Sequence, residues 1–195
     1  KIIVFCLVTI KVSAIEKVIL FGDSLMAGYG LPNEQHLSVV LQKSLEFDGH
    51  NIEIINGSVS GSTSAGGLNI AEWTLSENNI DLMILCLGAN DMLRGINPKE
   101  TKNNLEEIIE IAKNKNIKVI IAGMIAPTSY GYAYKKSFDK IFSDLSKKHK
   151  LQLIPFLLEG VAQKPEFNLS DGMHPNDRGT IIIGNTLKKA ILKNL

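Results

Sequence analysis

The sequence contains little cysteine, and its charges almost balance. Cys6 and Cys86 are the only cysteines among 195 residues, and they offer neither a disulfide framework nor the spacing of a metal site. Lysine and arginine together number 21 and aspartate and glutamate 20, which gives a formal net charge of +1. A strong positive field that could hold a nucleic-acid backbone is therefore lacking. We expect no metal, no other cofactor and no nucleic-acid partner.

The sequence also lacks an apolar run long enough to cross a bilayer. The N-terminal run, residues 2–10, is interrupted by Lys11, and Val12-Ser13-Ala14 then resembles the small-residue pattern before a signal-peptidase site. We therefore expect residues 1–14 to be a signal-peptide remnant and 15–195 to be a mature periplasmic or secreted domain without stable membrane insertion. The alternative is an N-terminal core strand in a cytoplasmic protein.

The rest of the chain alternates short apolar runs with longer amphipathic segments. Apolar runs typical of strands lie at 18–21, 52–55, 82–87, 118–122 and 151–155, and helical patterns lie at about 35–46, 64–78, 98–115, 132–149 and 176–193. Strands that are apolar throughout and separated by helices predict a parallel sheet covered on both faces. We therefore predict a single α/β domain with right-handed crossovers.

Three residues suited to nucleophilic catalysis follow strands of this predicted sheet. Ser24 comes after the first strand, and Asp171 and His174 lie three residues apart in a turn-rich segment after the fifth. A serine hydroxyl becomes a good nucleophile when a histidine accepts its proton and a carboxylate orients that histidine. The combination predicts a serine hydrolase, although Ser24 alone would also suit a helix N-cap, and Asp171 with His174 a turn before a helix.

Donors for a developing oxyanion are available in two further loops. Gly61 follows the second predicted strand and can offer its backbone N–H, and Asn90 follows the third and can offer its side-chain amide. Ser24 can add its own N–H. Singly, Gly61 and Asn90 are also common turn residues. A strand order of 2-1-3-4-5 would bring these loops together at the carboxyl edge of the sheet, where open parallel sheets hold their ligands.

Several other conspicuous residues are better explained as structural. We expect Asp91 to stabilise the fold, pairing with Arg94, and Trp73 to pack in the core or at its rim. The remaining histidines lie in or beside helical surface patterns and are expected to be solvated: His36, His50 and His149.

The motifs around these residues resemble the four blocks of the SGNH (GDSL) hydrolase family. Gly22–Leu25, Gly61, Gly88–Asp91 and Asp171–His174 occur in the family's order, and the likeness extends over nearly all of the mature chain, in particular to the bacterial thioesterase I, arylesterase and lysophospholipase L1 branch. The resemblance implies a flavodoxin-like, three-layer α/β/α sandwich with a five-stranded parallel sheet. One departure is Ser62, where that branch often carries aspartate.

The same resemblance implies the roles of the site residues and the type of substrate. Ser24, His174 and Asp171 would form a triad, and the Ser24 and Gly61 N–H groups with the Asn90 amide would form the oxyanion hole. The substrates would be small-molecule acyl esters and thioesters, including aryl esters, acyl-CoA-like thioesters and lysophospholipids.

The expected lining of the crevice favours acyl or aryl groups, because it is mostly apolar. We assign substrate binding to Met92, Leu93, Ile96, Ile125, Pro127 and Tyr130. A carbohydrate O-deacetylase could use the same catalytic site and stays open as an alternative. A non-catalytic ligand-binding domain is the other alternative, but it would be expected to lack one of the catalytic groups, and all of them are present.

Overall fold

The computed structural model describes residues 15–76 and 79–195, so the predicted signal segment lies outside the described residues. Five parallel strands form one sheet: β1 (Lys17–Gly22), β2 (Glu53–Asn56), β3 (Leu82–Cys86), β4 (Lys118–Ala122) and β5 (Gln152–Ile154). Their order is β2-β1-β3-β4-β5, with β1 paired to both β2 and β3. The predicted fold class and strand order are therefore confirmed.

Helices connect the strands and cover the sheet. They are α1 (Ser24–Ala27), α2 (Leu37–Phe47), α3 (Ser64–Thr74), α4 (Ala89–Leu93), α5 (Pro98–Asn114), α6 (Tyr132–His149) and α7 (Asp177–Leu192). Short 3₁₀ turns occur at Asn33–Gln35, Thr128–Tyr130 and Pro165–Phe167. Helix α2 packs against α7, while α5 packs against both α3 and α6. These two groups form the outer layers of the α/β/α sandwich.

The central strands explain why the apolar runs are continuous rather than alternating. Every residue of β3 is buried, and so is every residue of β1 after Lys17. A strand with helices on both faces has no solvent side, so polar residues are disfavoured at all its positions. Helix α5 shows the complementary pattern, since its buried residues Leu105, Ile108, Ile109 and Ala112 recur at helical spacing.

Two short helices were not predicted, and both carry site residues. Helix α1 has four residues and α4 has five, and each begins within three residues of the end of a central strand. Segments this short contain too few residues to show a helical period. The predicted helix at 64–78 also ends earlier, at Thr74, and residues 77–78 lie outside the described part of the chain.

Trp73 does not pack in the core as expected; its exposed fraction is 82%. Helix α3 buries a face of small residues, Ser64, Gly67 and Ala71, and Trp73 lies on a different face. A side chain on Gly67 would collide with Leu87, because its Cβ would lie 2.3 Å from Leu87 Cδ1. The close approach of α3 to the core therefore requires small residues, and the large indole is left outside.

The prediction of three solvated histidines is wrong for His149. Only 4% of its side chain is exposed, and its ring nitrogens lie 2.7 Å from Glu106 and 3.1 Å from Glu110. The packing of α6 against α5 buries the ring between two carboxylates. His36 and His50 are partly exposed, and His36 Nε2 donates to the Leu31 carbonyl at 3.0 Å.

Among the described residues, no helix is long and apolar enough to cross a membrane.

Candidate active site

Loops at the carboxyl edge of the sheet surround one large cavity of about 1060 Å³. Four of the five residues predicted for the triad and the oxyanion hole line it: Ser24 after β1, Gly61 after β2, Asn90 after β3 and His174 after β5. The strand order places β1 and β3 side by side at the centre, so residues far apart in sequence meet here. The cavity therefore occupies the place where an open parallel sheet holds its ligand.

The structure brings the three predicted triad side chains into one hydrogen-bonded row. His174 Nε2 lies 3.0 Å from Ser24 Oγ, and His174 Nδ1 lies 2.7 Å from Asp171 Oδ2. A proton on Nδ1 is held by the carboxylate, which leaves Nε2 free to accept the serine proton. The arrangement can therefore activate Ser24 as a nucleophile.

The turn that contains Asp171 fixes the position of its carboxylate. The Asp171 Oδ1 atom accepts hydrogen bonds from the backbone N–H groups of His174 (3.0 Å) and Met173 (2.8 Å). These two bonds, followed by the bond to the His174 ring, lower the pKa of Asp171 to about 2. The carboxylate is consequently ionised at any pH at which the enzyme would be assayed, and its position beside the ring is fixed from two sides.

The nucleophile lies at a tight turn between β1 and α1. Asp23 is the N-cap of α1, and its Oδ1 atom accepts from the Leu25 N–H at 3.1 Å. Gly22 is required just before it, because a Cβ there would lie 2.6 Å from the Cys86 carbonyl oxygen and 2.7 Å from Met26 Cγ. The segment Gly22-Asp23-Ser24 thus places the Ser24 hydroxyl at the end of a buried strand, facing the cavity.

The predicted oxyanion donors lie beside the nucleophile on the cavity wall. Gly61 has a φ of +78°, a conformation that other residues rarely adopt, and no atom lies within 4 Å of where its Cβ would be. The space beside its Cα is therefore open. The Asn90 amide nitrogen donates to the Ser62 carbonyl (3.1 Å) and to Asp23 Oδ2 (3.3 Å). Gly61 and Asn90 line the same cavity as Ser24.

Asp91 and Arg94 do not form the predicted pair. Asp91 is fully buried and accepts hydrogen bonds from the Ser64 N–H at 2.7 Å, from the Ser64 hydroxyl and from the Thr101 hydroxyl at 3.1 Å. It therefore joins α4 to α3 and α5, as a structural residue. Arg94 instead donates to the Gly61 carbonyl at 3.0 Å and so supports the glycine loop from outside.

Four of the six residues predicted to bind substrate line the cavity, and two do not. Met92, Leu93, Ile125 and Pro127 line the cavity, whereas Ile96 and Tyr130 do not. Tyr134 of α6 contacts both of these residues. Its hydroxyl donates to the Ile96 carbonyl at 3.0 Å, and its ring packs against that of Tyr130 at a centroid distance of 5.5 Å. Tyr130 therefore packs against α6, and the backbone of Ile96 is tied to the same helix.

Sequence reasoning missed other residues of the cavity, of which Tyr29 is the most informative. Its ring centroid lies 4.4 Å from that of His174. The short interval between Ser24 and Tyr29 was the available signal, since a loop that follows a nucleophile must border the same site. Further apolar lining comes from Leu25, Met124, Phe156, Leu158 and Met173.

Asp23 was missed as well, because only the structure shows that it contacts Asn90. Its position directly before the nucleophile was the signal in the sequence.

Among the described residues, no group of three or more histidine, cysteine, aspartate or glutamate side chains is arranged to hold a metal ion.

The chain is similar in sequence and in structure to known proteins. The model of the GDSL-like lipase/acylhydrolase family matches residues 20–180, which include every site residue described above. An arylesterase of Vibrio mimicus is 36% identical over 191 residues, covering 98% of this chain and 95% of that protein. The thioesterase 1/protease 1/lysophospholipase L1 of Escherichia coli K12 is 30% identical over 185 residues, covering 95% and 88%. The crystal structure of TesA superposes with a TM-score of 0.87 at 32% identity, covering 92% of this chain and all of that one.

Proposed function

The chain belongs to the GDSL-like lipase/acylhydrolase family, and we propose that it is a serine hydrolase that cleaves small-molecule acyl esters and thioesters through an acyl-enzyme on Ser24. The observation that carries this proposal is the row of side chains in the cavity, with 3.0 Å between Ser24 Oγ and His174 Nε2 and 2.7 Å between His174 Nδ1 and Asp171. The arylesterase and thioesterase relatives support the two substrate types.

In the first half of the reaction, Ser24 Oγ attacks the acyl carbon while His174 Nε2 accepts the hydroxyl proton. The carbonyl oxygen becomes an oxyanion that the N–H groups of Ser24 and Gly61 and the amide of Asn90 can stabilise. Collapse of this intermediate breaks the bond to the alcohol or thiol, which leaves with the proton from His174. The acyl group stays on Ser24 as an ester.

In the second half, a water molecule takes the place of the leaving group. His174 accepts a proton from the water as its oxygen attacks the acyl carbon, and a second oxyanion forms in the same place. When this intermediate collapses, the bond to Ser24 Oγ breaks and His174 returns the proton to the serine. Asp171 keeps the imidazole in one orientation throughout, and no cofactor takes part in either half.

The walls of the cavity favour acyl and aryl groups over sugars. Tyr29, Leu93, Ile125 and Met173 come from the segments that follow four different strands, line the cavity, and each expose between 45% and 53% of their surface. An acyl chain that covered these side chains would gain roughly 25 cal/mol for each Å² of apolar surface removed from water. This observation favours ester and thioester hydrolysis over carbohydrate O-deacetylation, which remains the second candidate because it needs the same catalytic groups.

A substrate panel with two variants tests the proposal. Purified protein should hydrolyse 4-nitrophenyl acyl esters and acyl-CoA faster than acetylated sugars. Ser24→Ala should abolish turnover, and His174→Ala should be about as severe because nucleophile and base act as a unit. His50→Ala is the matched control, since His50 does not line the cavity. Activity near the wild-type level in a folded Ser24→Ala protein would refute the mechanism, and a clear preference for acetylated sugars would favour the deacetylase.

We also propose that the enzyme is exported to the periplasm or secreted. The support comes from residues 1–14, where a lysine, an apolar run and small residues follow one another as in the end of a signal peptide. The near-neutral net charge supports a small-molecule substrate rather than a nucleic-acid partner.

A further inference from the structure

Asp23 is a buried acid beside the nucleophile, and the mechanism above does not use it. Only 1% of the residue is exposed. Burial raises the pKa of Asp23 to about 6, while hydrogen bonds from the Leu25 N–H and from Asn90 lower it. At neutral and alkaline pH the side chain is therefore mostly a carboxylate. A buried carboxylate is costly unless hydrogen bonds satisfy it, so its partners indicate what it does.

The two oxygens of Asp23 contact two different parts of the site. Oδ1 accepts from the Leu25 N–H at 3.1 Å and so holds the turn that carries Ser24. Oδ2 accepts from the amide nitrogen of Asn90 at 3.3 Å. These residues follow neighbouring strands, β1 and β3. A single carboxylate therefore joins the loop of the nucleophile to the loop of the oxyanion donor.

The contacts of the Asn90 amide determine which end of it is held at this position. Its nitrogen lies near two acceptors, Asp23 Oδ2 at 3.3 Å and the Ser62 carbonyl at 3.1 Å. An ionised carboxylate and a backbone carbonyl can only accept hydrogen bonds. A flipped amide would place its own oxygen against both acceptors, which is unfavourable. The contacts thus fix which end of the amide is the nitrogen, the kind of donor that an oxyanion hole needs.

The length of the contact with Asp23 suits a group that positions the amide without trapping it. N–H···O hydrogen bonds usually measure about 2.7–3.2 Å, so the 3.3 Å contact is a long one. The contact selects the orientation of the amide. Because it is long, little free energy is lost when an amide hydrogen turns towards a developing oxyanion. The shorter bond to Ser62 can hold the second hydrogen meanwhile.

We propose that Asp23 is a positioning residue of the oxyanion hole, which acts through Asn90 by keeping the amide nitrogen directed to the carbonyl oxygen of the substrate. The assignment rests on the proposed hydrolysis at Ser24. It adds to that function a residue that touches neither the substrate nor the triad by hydrogen bonding, and whose effect should appear in kcat rather than in KM.

Asp23→Asn tests the assignment because it changes one of the two contacts. Asparagine is an equally good N-cap, so its oxygen can still accept from the Leu25 N–H. Its other terminal atom becomes an NH₂ group, which cannot accept from Asn90. We expect kcat for a 4-nitrophenyl ester to fall by about tenfold or more, towards the roughly 10²–10³-fold loss typical of a missing oxyanion donor, with KM nearly unchanged.

A double-mutant cycle with Asn90→Ala separates positioning from a general structural effect. Once the Asn90 amide is absent, Asp23→Asn has nothing left to position, so its effect on kcat should largely disappear in that background. The same fold-loss in both backgrounds would overturn the assignment, and so would a wild-type kcat in the single variant. Ser146→Ala is the matched control, because it removes a hydrogen bond to Leu151 far from the cavity and should not couple to Asn90→Ala.

Two further comparisons keep the outcome interpretable. If Asp23→Asn does not fold, Asp23→Ser replaces it, since serine also caps a helix but is too short to reach Asn90. The effect of Asp23→Ser on kcat should likewise largely disappear in the Asn90→Ala background. Absence of turnover in the wild-type enzyme would refute the proposed function itself. Uncoupled losses in an active wild-type background would refute only the role of Asp23.

Discussion

The ring of Tyr29 lies against the imidazole of His174, with centroids 4.4 Å apart and planes inclined by 38°. Tyr29 is about half exposed, so the contact belongs to the wall of the cavity rather than to the core. Asp171 holds one edge of the same imidazole and Ser24 lies at the other. The general base is therefore oriented by two hydrogen bonds at its edges and by an aromatic ring against one face.

Removing this ring should slow the chemical step. The imidazole becomes positively charged when it accepts the serine proton, and an aromatic face attracts a cation by about 0.5–1 kcal/mol at exposed sites. Tyr29→Leu should therefore lower kcat by roughly 2- to 5-fold, whereas Tyr29→Phe should keep most of the rate. Steady-state kinetics with a 4-nitrophenyl ester measures both. Tyr132→Leu, at an exposed tyrosine outside the cavity, serves as the control, and equal losses in the Phe and Leu variants would argue against the ring contact.

The buried acid Asp23 should make stability depend on pH in a defined direction. Its pKa is raised from 3.8 to about 6 in the folded protein, so the folded state holds this proton more tightly than the unfolded chain does. The resulting stabilisation is fully present below pH 3.8 and is lost as the pH rises through about 6. The asparagine of Asp23→Asn carries no charge at any pH, so the variant lacks this loss of stability. Its Tm should therefore rise relative to that of the wild type between pH 4 and pH 7. Thermal denaturation at several pH values measures the difference, and a constant Tm difference would contradict the prediction.

Acyl-chain preference should depend on Leu93 but not on Ile96. Leu93 lines the cavity with half of its surface exposed, while Ile96 lies close by in sequence and does not line it. If an acyl chain covers Leu93, each methylene that becomes buried adds on the order of 0.8 kcal/mol, so kcat/KM should rise from acetyl to medium-chain esters. Leu93→Ser should flatten this rise and leave acetyl esters nearly unaffected, whereas Ile96→Ser should keep it. A wild-type preference for acetyl over octanoyl esters would favour the deacetylase instead.

Export predicts that the mature enzyme begins at or near Ile15. N-terminal sequencing of active protein from the periplasm or the culture medium measures this directly. Residues 1–14 found intact on the active soluble enzyme would show that the segment is not removed. A matched preparation with Ala14→Arg, which disrupts the small residue before the expected cleavage site, should accumulate unprocessed protein.

The parallel sheet and the positions of the main site residues after its strands could be predicted because local patterns carry them, whereas the strand order was expected from the resemblance to the SGNH family. Continuous apolar runs such as Val18–Phe21 and Leu82–Cys86 indicate strands covered on both faces, and the helical patterns between them require a parallel sheet. Ser24, Asn90 and His174 each follow such a strand, so the topology alone brings them to one edge. The type of each strand and the site residues that follow it need only short stretches of sequence.

Other features depended on contacts between segments far apart in sequence, and only the tertiary structure decided them. Ile96 is apolar and close to Asn90, but its backbone is held by Tyr134 from α6. Trp73 lies outside because α3 approaches the core through small residues. Asp23 and Asn90 are 67 residues apart, and their contact exists only because β1 and β3 are neighbours. The sequence itself determines the chemical type of each residue and which strand it follows. The direction of a side chain depends on which element packs against it.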